Sequence, residues 1–169
     1  MTAVTDVLSR VVIVGRPNVG KSSLFNRVYG ERRAIVEDEP GTTRDRVEAD
    51  VEWQDVRFRL IDTGGYETDA ENVYAPLIVE RIKTAMDGAA VVRFCVDARD
   101  GLTASDYDMA EVVRRANRPT LVVATKADNE RRELTGIAEA SSLGLGEPMP
   151  VCAMHDLSLI HISEPTRPY

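Results

Sequence analysis

The chain has 169 residues, enough for one domain with a substantial buried core. Its 43% hydrophobic and 29% charged residues are typical of a globular protein, and a net charge of −7 without any basic block argues against a nucleic-acid-binding surface on this segment. No apolar run approaches the ~20 residues of a membrane span, and the N-terminus is too acidic and polar for a signal peptide, so the expected compartment is the cytoplasm.

The first predicted elements surround residues 15–22, with the sequence Gly-Arg-Pro-Asn-Val-Gly-Lys-Ser. An apolar run at 11–14 precedes them, as expected of a central parallel strand, and a helix-like segment at 23–29 follows. In this setting the pattern G-x-x-x-x-G-K-S typically binds the phosphates of a nucleotide. Gly15 and Gly20 allow backbone N–H groups to turn inward around the anion, and the start of the helix adds its dipole.

The side chains of this loop have expected roles as well. We expect Lys21 to contact the β- and γ-phosphates and the Ser22 hydroxyl to ligate Mg²⁺. A glycine turn without a ligand is the alternative, which the flanking strand and helix disfavour. The predicted nucleotide contacts from this part of the chain are Gly15, Arg16, Pro17, Asn18, Val19, Gly20, Lys21, Ser22 and Ser23.

Residues 31–46 show no clean periodicity, and a long irregular segment in a compact domain is usually functional. Within it, Thr43 is placed to give its hydroxyl to Mg²⁺ while a γ-phosphate is present and to release it after hydrolysis. Thr42 is the neighbour that could be mistaken for it.

A β-hairpin is predicted next, because apolar and charged residues alternate on both sides of a two-residue turn at 54–55. This register places Asp50 opposite Arg59 and Glu52 opposite Arg57, so that both pairs are oppositely charged. One antiparallel strand should therefore join an otherwise parallel sheet.

The hairpin ends in Asp-Thr-Gly-Gly at 62–65, which fits the pattern D-x-x-G at the end of a strand. There the Asp62 carboxylate can hold Mg²⁺ through water, and the Gly65 N–H can meet the γ-phosphate. An aspartate that merely caps a turn is the alternative. The predicted contacts here are Asp62, Thr63, Gly64, Gly65 and Tyr66.

Helices and strands alternate through the rest of the domain, which predicts a doubly wound α/β sheet. The predicted elements are a helix from Pro76 to before Gly88, a strand at 89–96, a helix capped by Thr103, a strand at 120–124, a helix at 129–141 and a strand at 150–153. Arg93 is unexpected in the otherwise apolar strand at 89–96. Cys95 and Cys152 lie in apolar runs and are predicted to be reduced and buried.

The sequence Thr-Lys-Ala-Asp at 125–128 follows a strand and matches the base-selecting motif usually found as Asn-Lys-x-Asp. The Asp128 carboxylate can accept two parallel hydrogen bonds from guanine, a donor pair that adenine lacks, and Lys126 can lay its stem along the purine. An Asp128 that only caps a helix is the alternative. The predicted contacts at this end are Thr125, Lys126, Ala127, Asp128, Cys152 and Ala153, the last through its N–H to guanine O6.

Four stretches together resemble one protein family: GRPNVGKS at 15–22, VEDEPGTTRD at 36–45, FRLIDTGG at 58–65 and VDARDGLT at 96–103. The chain resembles, from about residue 10 to 155, the first GTPase domain of the Der (EngA) family of bacterial ribosome-assembly factors. The resemblance implies a P-loop NTPase fold with a Ras-like mixed sheet, GTP hydrolysis with Mg²⁺ and a role in maturing the large ribosomal subunit. It also implies a tandem repeat of two GTPase domains and a KH-like domain, so that the ribosome would be contacted through the full-length protein.

Three positions depart from familiar patterns. Thr125 stands where the family usually has Asn. The shorter hydroxyl is expected to weaken the brace between the base pocket and the loop at residues 15–22, called the phosphate loop below. Cys152 stands where Ser is usual, which is a mild change. Tyr66 occupies the position at which Ras-type enzymes place a water-orienting Gln, and relatives with this substitution resemble potassium-dependent GTPases.

The resemblance therefore implies slow hydrolysis in which Asn18 helps to hold K⁺. The expected catalytic residues are Lys21, Thr43, Asn18 and Gly65, and the expected Mg²⁺ ligands are Ser22, Thr43 and Asp62.

The domain is expected to span residues 1–156 and to be incomplete at its C-terminus. Residues 157–169 resemble the translated end of a sequencing adapter and lack amphipathic patterning, so we exclude them from the fold. Two other functions remain open: a nucleotide-dependent binding module of an Era- or MnmE-like GTPase with incidental hydrolysis, and a fragment without stable function.

Overall fold

The computed structural model describes residues 7–25, 48–53, 55–66, 76–127 and 130–150. Some predictions fall outside these ranges and stay predictions. They concern Thr43, Asp128, Cys152, Ala153 and the tail at 157–169.

The described part of the chain forms a six-stranded mixed sheet in the order β2-β3-β1-β4-β5-β6. The strands are β1 (Ser9–Val14), β2 (Glu48–Trp53), β3 (Val56–Asp62), β4 (Val91–Asp97), β5 (Thr120–Thr125) and β6 (Met149–Pro150). All neighbouring strands are parallel except β2 and β3. The predicted α/β fold with an antiparallel edge strand is therefore confirmed.

The hairpin has the predicted register, with Asp50 opposite Arg59 and Glu52 opposite Arg57. Arg59 Nε lies 2.7 Å from Asp50 Oδ1, and Arg57 Nε lies 3.3 Å from Glu52 Oε2. Asp55, in the turn, has a φ of 63°, a left-handed conformation that aspartate tolerates better than most residues. The charge alternation thus marks the solvent-facing side of the hairpin correctly.

Helices cover both faces of the sheet. Helix α1 begins at Lys21 and is described to residue 25, and the others are α2 (Pro76–Met86), α3 (Ala104–Ala116) and α4 (Glu130–Ser141). Within the described ranges, no helix is both long and apolar enough to cross a bilayer. A short 3-10 helix follows β3 at Thr63–Tyr66. The Gly64 N–H donates to Asp62 Oδ1 at 2.8 Å, which starts this tight turn.

The hydrophobic core has two parts because side chains alternate across each strand. Val12 and Val14 of β1 pack into the part that contains residues of α2, α3 and α4, whereas Ile13 packs into the part that contains Leu24 and Phe25 of α1. Both faces of β1 are buried, as its uninterrupted apolar sequence predicts.

Cys95 and Arg93 are both buried in β4 on the α1 side of the sheet. Cys95 is a free cysteine, as predicted, and burial raises the pKa of its thiol to about 12, so the thiol stays protonated. Arg93 is 0% exposed, and burial lowers the pKa of its guanidinium to about 10. The apolar sequence of the strand gives no reason for a charged residue at this position.

Candidate functional site

A cavity of about 570 Å³ opens at the carboxyl edge of the sheet, within the ~300–1,000 Å³ range typical of small-molecule sites. β1 lies between β3 and β4, so the chain connections that leave neighbouring strands here lead to opposite sides of the sheet. In open α/β sheets such a crevice is where ligands bind. The cavity is lined by Pro17, Asn18, Gly20, Lys21, Ser22, Ser23, Gly64 and Lys126.

The loop between β1 and α1 depends on its glycines for two different reasons. A Cβ atom at Gly15 would stand 2.6 Å from the carbonyl oxygen of Cys95, so the loop passes β4 too closely for any side chain. Gly20 has a φ of +102°, a backbone conformation that residues with a side chain rarely adopt. Asn18, between them, also has a positive φ, of 65°.

Lys21 lies beneath this loop and faces the cavity. The residue is 4% exposed, and its Nζ donates to the carbonyl oxygens of Gly15 and Arg16, both at 2.6 Å. The ammonium group is therefore held at the cavity by the loop backbone, where an anionic ligand could replace these carbonyl contacts.

Ser22 lines the cavity and contacts Asp62 at the end of β3. The Ser22 hydroxyl donates to Asp62 Oδ2 at 3.3 Å, and the hydroxyl of the adjacent Thr63 donates to the carbonyl oxygen of Ile13 at 2.7 Å. The start of α1 and strand β1 are thereby both tied to the end of β3.

The Ser22 and Asp62 oxygens fit a hard divalent cation such as Mg²⁺, which prefers hydroxyl, carboxylate, phosphate and water oxygens. Within the described ranges no group of three or more His, Cys, Asp or Glu side chains could hold a metal ion alone. A cation here would therefore take further ligands from water and from a phosphate-bearing ligand.

Thr125 braces the phosphate loop from the end of β5. Its hydroxyl lies within hydrogen-bonding distance of the carbonyl oxygen of Val19 and 3.0 Å from that of Val96. With one proton, it can donate to only one of them at a time. The hydroxyl thus reaches the loop, although it is shorter than the amide usual in the related family.

Lys126 connects the loop to a buried carboxylate. Its Nζ donates to the carbonyl oxygen of Asn18 at 2.7 Å and lies 2.9 Å from Asp97 Oδ2. Burial alone would raise the pKa of Asp97, but hydrogen bonds from Lys126 and from the backbone amides of Asp100 and Arg99 outweigh it, so the pKa lies below its usual value. Asp97 therefore stays ionised opposite the ammonium group.

Three predicted contacts have side chains that point away from the cavity or into the core. Arg16 does not line the cavity, and its Nε lies 3.1 Å from Asp106 Oδ2 in α3. Val19 and Ala127 are 0% and 6% exposed and belong to the two parts of the core. Only their backbone groups can face a ligand.

Sequence reasoning missed the two aspartates that hold this site from behind, Asp97 and Asp106. Asp97 lies within the VDARDGLT stretch, and Asp106 stands three residues after the helix cap Thr103, the spacing of a capping box. These signals were present, but neither indicates a partner in the phosphate loop.

A mixed, mainly parallel sheet with a glycine-bounded loop after β1, an aspartate at the end of β3 and a lysine after β5 defines a P-loop nucleotide-binding protein. The sequence profile of the family described as 50S ribosome-binding GTPase matches residues 10–126. The chain belongs to this family, and its GTPase class is thereby confirmed.

The curated relatives include GTPase Der of Alkaliphilus metalliredigens, which is 46% identical over 149 residues, and GTPase Der of Thermomicrobium roseum, which is 49% identical over 154 residues. Each alignment covers 88% of this chain but only 34% and 33% of the relative. The chain spans about a third of the length of these relatives. The resemblance to the Der family is confirmed.

Solved structures agree with the fold. An Era variant of Aquifex aeolicus bound to GDP and AlF4⁻ is 30% identical with a TM-score of 0.64, and the match covers 86% of this chain and 51% of that one. A probable GTP-binding protein, engB, has a TM-score of 0.60 at 21% identity over 91% of this chain and 94% of that one. At this identity, the second match concerns the fold alone.

Proposed function

We propose that the chain is the GTP-binding and GTP-hydrolysing switch domain of a bacterial GTPase that assembles the large ribosomal subunit. One observation carries this proposal: Lys21, Lys126 and Ser22 line one cavity of about 570 Å³, and the Ser22 hydroxyl donates to Asp62 Oδ2. Membership of the 50S ribosome-binding GTPase family and similarity to GTPase Der support the ribosomal role. The expected location in the cytoplasm follows from that role.

The proposed nucleotide contacts fall into three groups. The backbone N–H groups of the loop at 15–22 and the Lys21 ammonium bind the phosphates, and the start of α1 adds its dipole. Lys126 covers the purine with its stem while its ammonium stays on the Asn18 carbonyl oxygen. Asp128 selects guanine, with Thr125, Cys152 and Ala153 around the base. Of these, Asp128, Cys152 and Ala153 lie outside the described residues.

Ser22 and Asp62, together with Thr43 outside the described ranges, would hold Mg²⁺. When bound, the ion supplies positive charge that neutralises the developing charge on the phosphates. Asn18 would take part in holding K⁺, because its position at the turn of the loop borders the cavity. That Era is solved in complex with MgGDPNP supports the requirement for Mg²⁺ in this fold.

Hydrolysis is slow in this proposal. Lys21 stabilises charge on the β- and γ-phosphates, and the Gly65 N–H fixes the γ-phosphate for in-line attack by water. Tyr66 follows D-x-x-G, and a phenol cannot orient the attacking water as a glutamine amide does. Thr43 would release its ligand after hydrolysis, which makes the segment at 31–46 the switch.

The domain boundaries are part of the proposal: residues 1–156 form the GTP-binding unit, and 157–169 do not belong to its fold. Contact with the ribosome is made by the full-length protein. This is consistent with the chain spanning about a third of its curated relatives.

Tyr66 also favours a second candidate, in which nucleotide-dependent docking is the function and hydrolysis is incidental. Turnover measured with and without ribosomal subunits separates the two. Stimulation by subunits supports a GTPase timer, whereas docking that depends on GTP at an unchanged, negligible rate supports the binding module.

Thermal unfolding in the presence of GDP, GTP and ATP tests base and phosphate binding together. A ligand at 100 times its Kd stabilises the folded state by about 2.7 kcal/mol, so GDP and GTP should raise Tm and ATP should not. Equal shifts with ATP would overturn guanine selectivity. Single-turnover hydrolysis in K⁺ and Na⁺ buffers tests the monovalent site, and equal rates would remove K⁺ from the proposal.

A further inference from the structure

The phosphate loop is tied to helix α3 by an ion pair between residues far apart in sequence. Arg16 Nε lies 3.1 Å from Asp106 Oδ2, with side chains 16% and 0% exposed. A carboxylate buried this completely is costly unless it is paired. The pair is therefore a structural link rather than a surface contact between mobile side chains.

Asp106 Oδ2 contacts both the phosphate loop, through Arg16, and the cap of α3. It also accepts a hydrogen bond from the Thr103 N–H at 2.8 Å and one from the Thr103 hydroxyl at 3.1 Å. Within the described residues, Asp106 Oδ1 and Arg16 Nη2 are buried without a hydrogen-bond partner. The ion pair thus uses one donor and one acceptor, and a second pair of atoms is available for a bidentate contact if loop and helix shift slightly.

Arg16 transmits this link to the ligand-binding groups through its backbone. Its guanidinium is directed towards α3 and does not line the cavity, but its carbonyl oxygen accepts a hydrogen bond from Lys21 Nζ at 2.6 Å. The side chain that Asp106 holds and the carbonyl that holds the ammonium belong to the same residue. A backbone shift at Arg16 that follows its side chain would therefore move one of the two carbonyl oxygens that hold Lys21 Nζ.

We propose that Asp106 is a positioning residue that, through Arg16, holds the phosphate loop in its ligand-binding shape and couples the start of α3 to nucleotide binding. The inference rests on the proposed function, since the ligand concerned is the guanine nucleotide. If Asp106 only capped α3, its replacement would destabilise the helix and leave the affinity for the nucleotide unchanged. The experiment therefore measures both stability and affinity.

Asp106→Asn removes the charge but keeps the shape and one acceptor. We expect the Kd for a fluorescent GDP analogue to rise about tenfold, which is about 1.4 kcal/mol of binding free energy, because a loop that is no longer held by this pair must be ordered when the nucleotide binds. Arg16→Gln should have a similar effect. The double variant should bind about as well as the weaker single variant, because the two residues act as one unit.

Two control variants isolate the helix cap and the helix charge. Thr103→Ala removes the hydroxyl that contacts the same carboxylate, so it should lower Tm without changing the Kd. Asp108→Asn removes an exposed charge two residues further along α3 and should change neither. Circular dichroism of each variant establishes that the domain is folded before titration.

The outcomes distinguish this inference from the function on which it rests. If the unchanged chain does not bind the GDP analogue, the proposed function fails and the inference falls with it. If the unchanged chain binds but Asp106→Asn binds equally well, or Thr103→Ala weakens binding as much, the inference alone is overturned. Additive effects of Arg16→Gln and Asp106→Asn would also overturn it.

Discussion

Lys126 and Asp97 form an ion pair at the back of the cavity, with Lys126 Nζ 2.9 Å from Asp97 Oδ2. The carboxylate is 1% exposed and the lysine side chain 35%, so the pair is shielded on one side only. Because the same ammonium donates to the Asn18 carbonyl oxygen, the end of β4 and the phosphate loop are held by a single group.

We expect Asp97→Asn to lower the free energy of unfolding by about 2 kcal/mol, because it leaves the ammonium without its counter-charge and replaces a buried acceptor. Urea unfolding at pH 7 measures this change. Asp100→Asn is the matched control: its exposed side chain belongs to the same turn but not to the pair. An equal loss in both variants would show that the turn, and not the ion pair, is responsible.

The pH dependence of stability provides an independent check on Asp97. Its pKa is lower in the folded protein than the ordinary value of 3.8, so its contribution is fully present above that value and is lost as the pH falls through the folded pKa. The stability difference between the unchanged chain and Asp97→Asn should therefore be constant from about pH 5 to 7 and shrink below about pH 4. A difference that persists undiminished at pH 3 would contradict the ionic role.

Lys21→Ala should abolish nucleotide binding, with an affinity loss of at least ~100-fold, because the ammonium is the charge held beneath the phosphates. Titration with a fluorescent GDP analogue measures the loss. Lys83→Ala removes a half-exposed lysine from α2 and should leave the affinity unchanged. Undiminished binding by Lys21→Ala would remove the phosphate loop from the proposed site.

The local parts of this fold were predictable because their causes are local. Charge alternation gave the register of the hairpin, in which Asp50 opposes Arg59, and the glycine spacing located the loop beneath which Lys21 lies. Each pattern depends on residues within a few positions of one another, where the period of a strand or the geometry of a turn constrains the sequence.

The two ion pairs behind the cavity were not predictable, because their partners are far apart in sequence. Asp106 meets Arg16 only because β4 lies beside β1, and Lys126 meets Asp97 only because β5 lies beside β4. In the sequence each aspartate is indistinguishable from a charge that caps a helix or a turn. Such pairs follow from strand order, which single-sequence patterns do not specify.

Thr125→Val tests the brace between β5 and the phosphate loop. Valine keeps the shape but cannot donate to the carbonyl oxygens of Val19 and Val96, so we expect a loss of about 1–3 kcal/mol in stability together with weaker GDP binding. Thr125→Asn restores a donor and the residue usual in the related family, and it should bind GDP at least as tightly as the unchanged chain. Binding by Thr125→Val equal to that of the unchanged chain would mean that the hydroxyl serves folding alone.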